Sequence, residues 1–159
     1  MISAAAQRLC AAAMVLLLCG AAPKHAYRII TTNTSASTNG VRIVVRRIAI
    51  SNKEIAITMT LQNLQPGFAT FLPYGRTILT DDRDDVYRSI ETRDWRLTDK
   101  GFFLGVRLAG NEQYTGTMRF LAPPGSHARE LHLEVSPVMR EDPGAQPFTV
   151  ALPTIATTP

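Results

Sequence analysis

Residues 41–63, VRIVVRRIAISNKEIAITMTLQN, decide the fold. Val41, Ile43 and Val45 alternate with Arg42, Val44 and Arg46, and Ile48 and Ile50 then resume on the opposite parity. A period of two places successive side chains on opposite faces of a strand. The parity switch at Arg46-Arg47 predicts a bulge or bend, since a one-residue slip turns every later side chain to the other face. Ser51-Asn52-Lys53-Glu54 reads as a turn. Beyond it Ile55, Ile57, Met59 and Leu61 face one way, and Ala56, Thr58, Thr60 and Gln62 the other. One apolar and one polar face is the pattern of an antiparallel sheet covered on one side only.

The same period runs along the rest of the chain. Pro66-Gly67 fits the centre of a tight turn, followed by a short apolar piece from Phe68 to Leu72. A strand near Thr77–Thr80 and another near Val86–Ile90 flank Asp81-Asp82-Arg83-Asp84-Asp85 as a hairpin. Phe102, Leu104, Val106 and Leu108 alternate, as do Tyr114, Met118 and Phe120, then Leu131, Leu133 and Val135, and finally Phe148, Val150 and Leu152. The expected fold class is all-β, an antiparallel β-sandwich of about eight strands. No window after residue 26 keeps a helical stripe free of Gly and Pro, so any helix is one short piece near Pro137–Pro143. Trp95 and Phe102-Phe103 are expected in the core.

The succession VRIVVRRIAISNKEIAITMTLQNL, LTDDRDDVY, GVRLAGNEQYTGTMRFLAPP and ELHLEV resembles the immunoglobulin-like DUF4352 family of exported bacterial proteins, over roughly residues 41–135. The resemblance rests on a strand ending at Gln62-Asn63, an acidic turn leading from Thr80-Asp81-Asp82 to Tyr87, and the aliphatic-Pro segment Phe120-Leu121-Ala122-Pro123. Asp84-Asp85 stand where that family has a Gly. The resemblance implies an immunoglobulin-like sandwich and transfers no catalytic residue.

Domain organisation follows from composition along the chain. Residues 9–22 carry no charge, Arg8 precedes them, and Gly20, Ala21 and Ala22 follow. That is the layout of a secretory signal peptide, too short for a comfortable membrane span. The expected division is a signal peptide at 1–26, a flexible Thr/Ser/Asn-rich lead-in at 27–40, a β-sandwich domain at 41–153 and a C-terminal tail at 154–159. Cys10 and Cys19 both lie in the signal, so the mature chain would have no disulfide, no Cys nucleophile and no thiolate metal site. Losing Arg8 and Lys24 with the signal lowers the formal charge of +4 by two. The expected location is periplasmic or secreted, with no membrane span in the mature chain.

Four carboxylates in five residues, Asp81, Asp82, Asp84 and Asp85, are calcium candidates, because calcium takes clustered oxygens. The EF-hand pattern fails: Arg83 stands third, Val86 replaces the Gly, and Thr92 replaces the bidentate Glu. A solvated hairpin turn is the simpler account, since Asp favours turns by bonding its own backbone. His127 and His132, with Glu130 and Glu134 near, form a second conceivable metal pair. Strand parity, however, turns His132, Glu130 and Glu134 outward and Leu131 and Leu133 inward. Arg42, Arg46, Arg47, Arg76, Arg83, Arg88, Arg93 and Arg96 are interleaved with acids, and no zinc-finger or RNP-like motif accompanies them, so no nucleic-acid partner is expected. There is no Gly-x-Ser-x-Gly elbow. The expectation is a non-enzymatic binding or assembly module of the cell envelope or exterior, with no cofactor and an unidentified protein or envelope partner. The alternative is a small periplasmic metal-dependent module or enzyme using Asp81–Asp85 or the His127/His132 pair.

Overall fold

A computed structural model describes residues 28–72, 76–91, 105–122 and 128–157. The signal segment, Trp95, Phe102-Phe103, Leu104 and His127 lie outside them. The strands in chain order are β1 (Arg28–Thr31), β2 (Ser35–Thr38), β3 (Val41–Ile50), β4 (Glu54–Asn63), β5 (Ala69–Phe71), β6 (Ile78–Asp81) and β7 (Val86–Tyr87). They continue with β8 (Ser89–Glu91), β9 (Val106–Leu108), β10 (Gln113–Leu121), β11 (Glu130–Arg140), β12 (Phe148–Ala151) and β13 (Ile155–Ala156). No helix occurs among the described residues, and residues 137–140, where a short helix was conceivable, continue β11.

The fold is all-β, two antiparallel sheets in a sandwich. The six-stranded sheet runs β1-β3-β4-β10-β8, with β2 also on β3. The other sheet is built on β11. One edge of β11 pairs with β6 and β5 in succession, and the opposite edge pairs with β13 and β12. β7 then extends β6, and β9 extends β5. The long hairpin β3–β4 forms as its alternation predicts. Its register shifts between Val45 and Arg47, where the parity switch lies. Ser51 closes the turn: its N–H donates to the Glu54 carbonyl, and its Oγ accepts the amides of Lys53 and Glu54.

The core lies between the sheets. Ile43, Ile48, Ile55, Ile57, Met59, Leu61, Met118 and Phe120 come from the six-stranded sheet. Phe71, Leu79, Tyr87, Leu108, Leu131, Leu133, Val135 and Val150 come from the other. Burying such side chains is the main favourable term of folding, worth about 1.5–3 kcal/mol for each large aliphatic or aromatic.

Two expected boundaries are corrected. The supposed lead-in at 27–40 contributes β1 and β2, both antiparallel to β3. Asn39 and Gly40 both have positive φ, 49° and 73°, and join Thr38 to its partner Val41. A two-residue Asn-Gly loop of this kind matches the twist of a hairpin. Polar β2 therefore folds by main-chain pairing and turn geometry, with only Ala36 reaching the core. At the other end the supposed tail contains β13, where Ile155 pairs with Leu131 and is 2% exposed. Strands of two to four residues are too short to show a period, which is why thirteen occur among the described residues against about eight expected.

Candidate functional site

The outward side chains of the six-stranded sheet stand in four cross-strand rows fixed by register. Arg42, Gln62 and Gln113 form the first, and Val44, Thr60 and Thr115 the second. Thr31, Arg47, Thr58 and Thr117 form the third, and Ile29, Ala49, Ala56 and Arg119 the fourth. Directly opposed side chains on antiparallel strands are close enough to bond. Gln62 Nε2 donates to Gln113 Oε1 at 2.9 Å, the Thr60 and Thr115 hydroxyls lie 2.9 Å apart, and those of Thr58 and Thr117 3.0 Å.

The bulge adds a further cation to this face. Arg46, the extra residue, sends Nη1 to Asn33 Oδ1 at 2.9 Å and Nε to Thr60 Oγ1 at 3.4 Å. Arg47 is exposed and makes no side-chain hydrogen bond or ion pair among the described residues. It borders a shallow concavity of about 350 Å³ whose floor is Ala49 and Ala56 and whose sides include Thr58, Thr117 and Arg119. Glu54 also lines it, 3.8 Å from Arg119. β1, β2, β3 and β10 hold Arg28, Arg42, Arg46, Arg47 and Arg119 and no Asp or Glu, while β4 begins at Glu54 and β8 ends at Glu91.

The acidic turn is put together differently. Asp81, at the end of β6, is 1% exposed. Its Oδ1 accepts the amides of Arg83 and Asp85 at 2.9 and 3.1 Å, and its Oδ2 accepts the Tyr87 hydroxyl at 2.8 Å. The Asp84 amide donates to the Asp81 carbonyl at 3.0 Å, closing the turn, and Asp84 takes φ 61°. Asp82 Oδ1 accepts the Arg129 amide at 2.9 Å, which ties the turn to the start of β11. That bond holds the Asp82 carboxyl below the ordinary aspartate value. Asp82, Asp84 and Asp85 are exposed. Asp81 therefore points inward as a scaffold, and the four carboxyls do not converge. No group of three or more His, Cys, Asp or Glu placed to hold a metal ion occurs among the described residues.

His132 is half-buried on the outer side of β11, its Nδ1 3.3 Å from Thr154 Oγ1, with Leu131 and Leu133 buried on the inner side. Its expected partner His127 is outside the described residues. Arg76, Arg83 and Arg88 are exposed, scattered near β6–β8, away from the Arg42–Arg47 rows; Arg93 and Arg96 are not among the described residues.

Sequence reasoning missed a polar hub at one end of the sandwich. Asn63 is fully buried; its Nδ2 donates to the carbonyls of Gly67 and Leu108, and its Oδ1 accepts from the Gln65 amide and Arg140 Nη1. Arg140 also bonds Asp142 and the Pro66 carbonyl. Beside it Arg107 makes a two-pronged pair with Glu141 at 2.8 and 2.7 Å and lies 3.6 Å over the Phe68 ring. The available signal was an Asn ending a strand before a Pro-Gly turn, but the residues it binds are distant in sequence.

No family model matches the chain, and no curated protein matches it. Among solved structures it is similar to the yjhA protein of Bacillus subtilis, with 16% identity, covering 66% of this chain and 78% of that chain at a TM-score of 0.48. No helix among the described residues is long and apolar enough to cross a membrane.

Proposed function

We propose that this is an exported, non-enzymatic binding module, and that its contact surface is the outer face of the six-stranded sheet. The observation carrying the reading is Arg47: an exposed guanidinium with no partner among the described residues, at the side of a concavity between strands. Arg42 and Arg119 stand on other rows of the same outward face, so Arg47 is one of several cations spread over it. The signal-like segment before residue 27 and the DUF4352-type resemblance fit the same reading. The acidic turn is the weaker candidate, because Asp81, its most buried carboxyl, has both oxygens occupied by protein donors.

The test has two parts. N-terminal sequencing of the exported protein should find a start between Ala22 and Tyr27, and Met1 retained on cytoplasmic protein would overturn the export reading. Cross-linking in the producing cells should capture a partner through the parent protein that Arg47→Glu with Thr58→Glu no longer captures. A double variant that keeps the parent's cross-links would remove this face from the function. Millimolar calcium should leave the melting temperature nearly unchanged. A rise that Asp82→Asn with Asp84→Asn abolishes would restore the metal-dependent alternative, since a ligand of the folded state alone stabilises it by mass action.

A further inference from the structure

We infer that the outer face of the six-stranded sheet binds an acidic polysaccharide, a polyhydroxylated chain bearing carboxylates. The inference rests on the proposed role of this face and names what the face takes. Its first support is charge. Arg42, Arg46, Arg47 and Arg119 stand on the outward rows, and Glu54 is the acid that lines the same concavity. By register Glu91 of β8 stands opposite Arg119, so the rows hold four arginines against two acids and the balance is cationic, which attracts anions and raises their local concentration.

The second support is spacing. Arg42 and Arg47 stand two rows apart, opposite Gln62 and Thr58, roughly 14 Å at the usual rise because the bulge residue adds no length, and Arg119 lies two strands across and one row along from Arg47, roughly 12 Å away. Separations of that order suit a chain with charges at intervals better than one compact anion. Guanidinium groups also match carboxylates in two-pronged geometry.

The third support is what lies between the cations. Thr58, Thr115, Thr117, Gln62 and Gln113 present hydroxyls and amides along the same rows, while Thr60 is buried beneath Arg46. A hydroxyl that bonds its neighbour keeps lone-pair capacity for another donor, so sugar hydroxyls can join these rows. The outward positions of β1, β3, β4 and β10 carry no Phe, Tyr or Trp, which removes the stacking platform that single-stranded nucleic acid uses. The exposed aliphatics there, Ile29 and Leu121, are too few for an apolar face that inserts into lipid.

Polygalacturonate is the probe, measured against the mature protein by titration calorimetry. Methyl-esterified polygalacturonate keeps the hydroxyls and loses the charge; polyglutamate keeps the charge and loses the hydroxyls. The parent should bind polygalacturonate, and more tightly than either control or an anionic vesicle. Raising salt to physiological strength should weaken binding by roughly tenfold, as exposed charges are screened. Arg42→Gln with Arg47→Gln and Arg119→Gln should also weaken it by roughly tenfold or more, while Arg76→Gln with Arg83→Gln and Arg129→Gln, equal in charge but off this face, should stay within about threefold. Thr117→Glu, a single change placing an acid between Arg47 and Arg119, should weaken binding with melting unchanged. Equal affinity for polyglutamate, equal loss in the off-face variant, or no binding at low salt would overturn the inference. If polygalacturonate fails while the Arg47→Glu/Thr58→Glu variant still loses its cross-linked partner, the inference falls and the proposed contact face stands.

Discussion

Asp81 and Arg47 are both charged residues on strands of one sandwich, and their surroundings are opposite. Asp81 is 1% exposed, and three protein donors converge on its two oxygens from within six residues of chain. Arg47 is exposed, and nothing among the described residues bonds its guanidinium. In the linear sequence the acidic run is far denser in charge than the neighbourhood of Arg47. Density therefore misleads here: within the crowded run Asp81 and Asp82 brace the turn, and the arginines spread along the sheet face outward. An Asp that bonds the backbone two and four residues on is doing what its short side chain does best in a turn. Arg47, unlike its neighbour Arg46, has no side-chain acceptor in reach among the described residues.

The comparison requires that the face carrying Arg47 be the outside of the sheet, and the largest expected effect checks that. Ile57→Ala should cost about 2–5 kcal/mol in chemical denaturation, since Ile57 is fully buried, whereas Thr58→Ala, one residue on, should cost within about 1 kcal/mol. Equal losses would mean the two faces are misassigned.

Asp81→Ala comes next. It strands the amides of Arg83 and Asp85 and the Tyr87 hydroxyl, and should cost about 2–4 kcal/mol. Tyr87→Phe, which removes one of those bonds and keeps the ring, should cost about 0.5–1.5 kcal/mol. If Asp81→Ala left stability unchanged, the turn would not be the scaffold described here.

Asp84→Asn with Asp85→Asn, and separately Arg47→Gln, should each stay within about 0.5 kcal/mol, the range of ordinary surface changes. A large loss in Arg47→Gln would turn that residue from a contact group into a structural one and break the comparison from the other side.

The smallest effect is a pH dependence. The Arg129 amide lowers the Asp82 carboxyl in the folded state. A depressed folded value means the contribution is present above the unfolded value and lost as pH falls through the folded one. Parent and Asp82→Asn should therefore differ most near neutral pH and converge in acid. Divergence growing toward low pH would contradict the Asp82–Arg129 bond.

Most of this architecture was legible because burial leaves a period. The alternation of residues 41–63 placed β3 and β4, and the parity switch located the bulge between Val45 and Arg47. The legible part stops where strands are too short or too polar for a period. Thr/Ser-rich β2 hid its pairing, although Asn39-Gly40 signalled the hairpin. The acidic turn was legible as a turn, but not the inward direction of Asp81, because that depends on the Tyr87 hydroxyl meeting it in the core.

The sequence by itself determined an all-β chain, the in–out register of its long strands, and a turn at Asp81–Asp85, because each follows from contacts a few residues apart or from a two-residue period. Only the tertiary structure decided how the strands divide between two sheets, that β11 pairs along both edges, and that Arg42, Arg47 and Arg119 share one outer face with a row of threonines. Arg47 and Thr117 are seventy residues apart in the chain and stand in one row because β4 lies between β3 and β10. Strand pairing closes long loops to make such neighbours, and no local pattern carries that information.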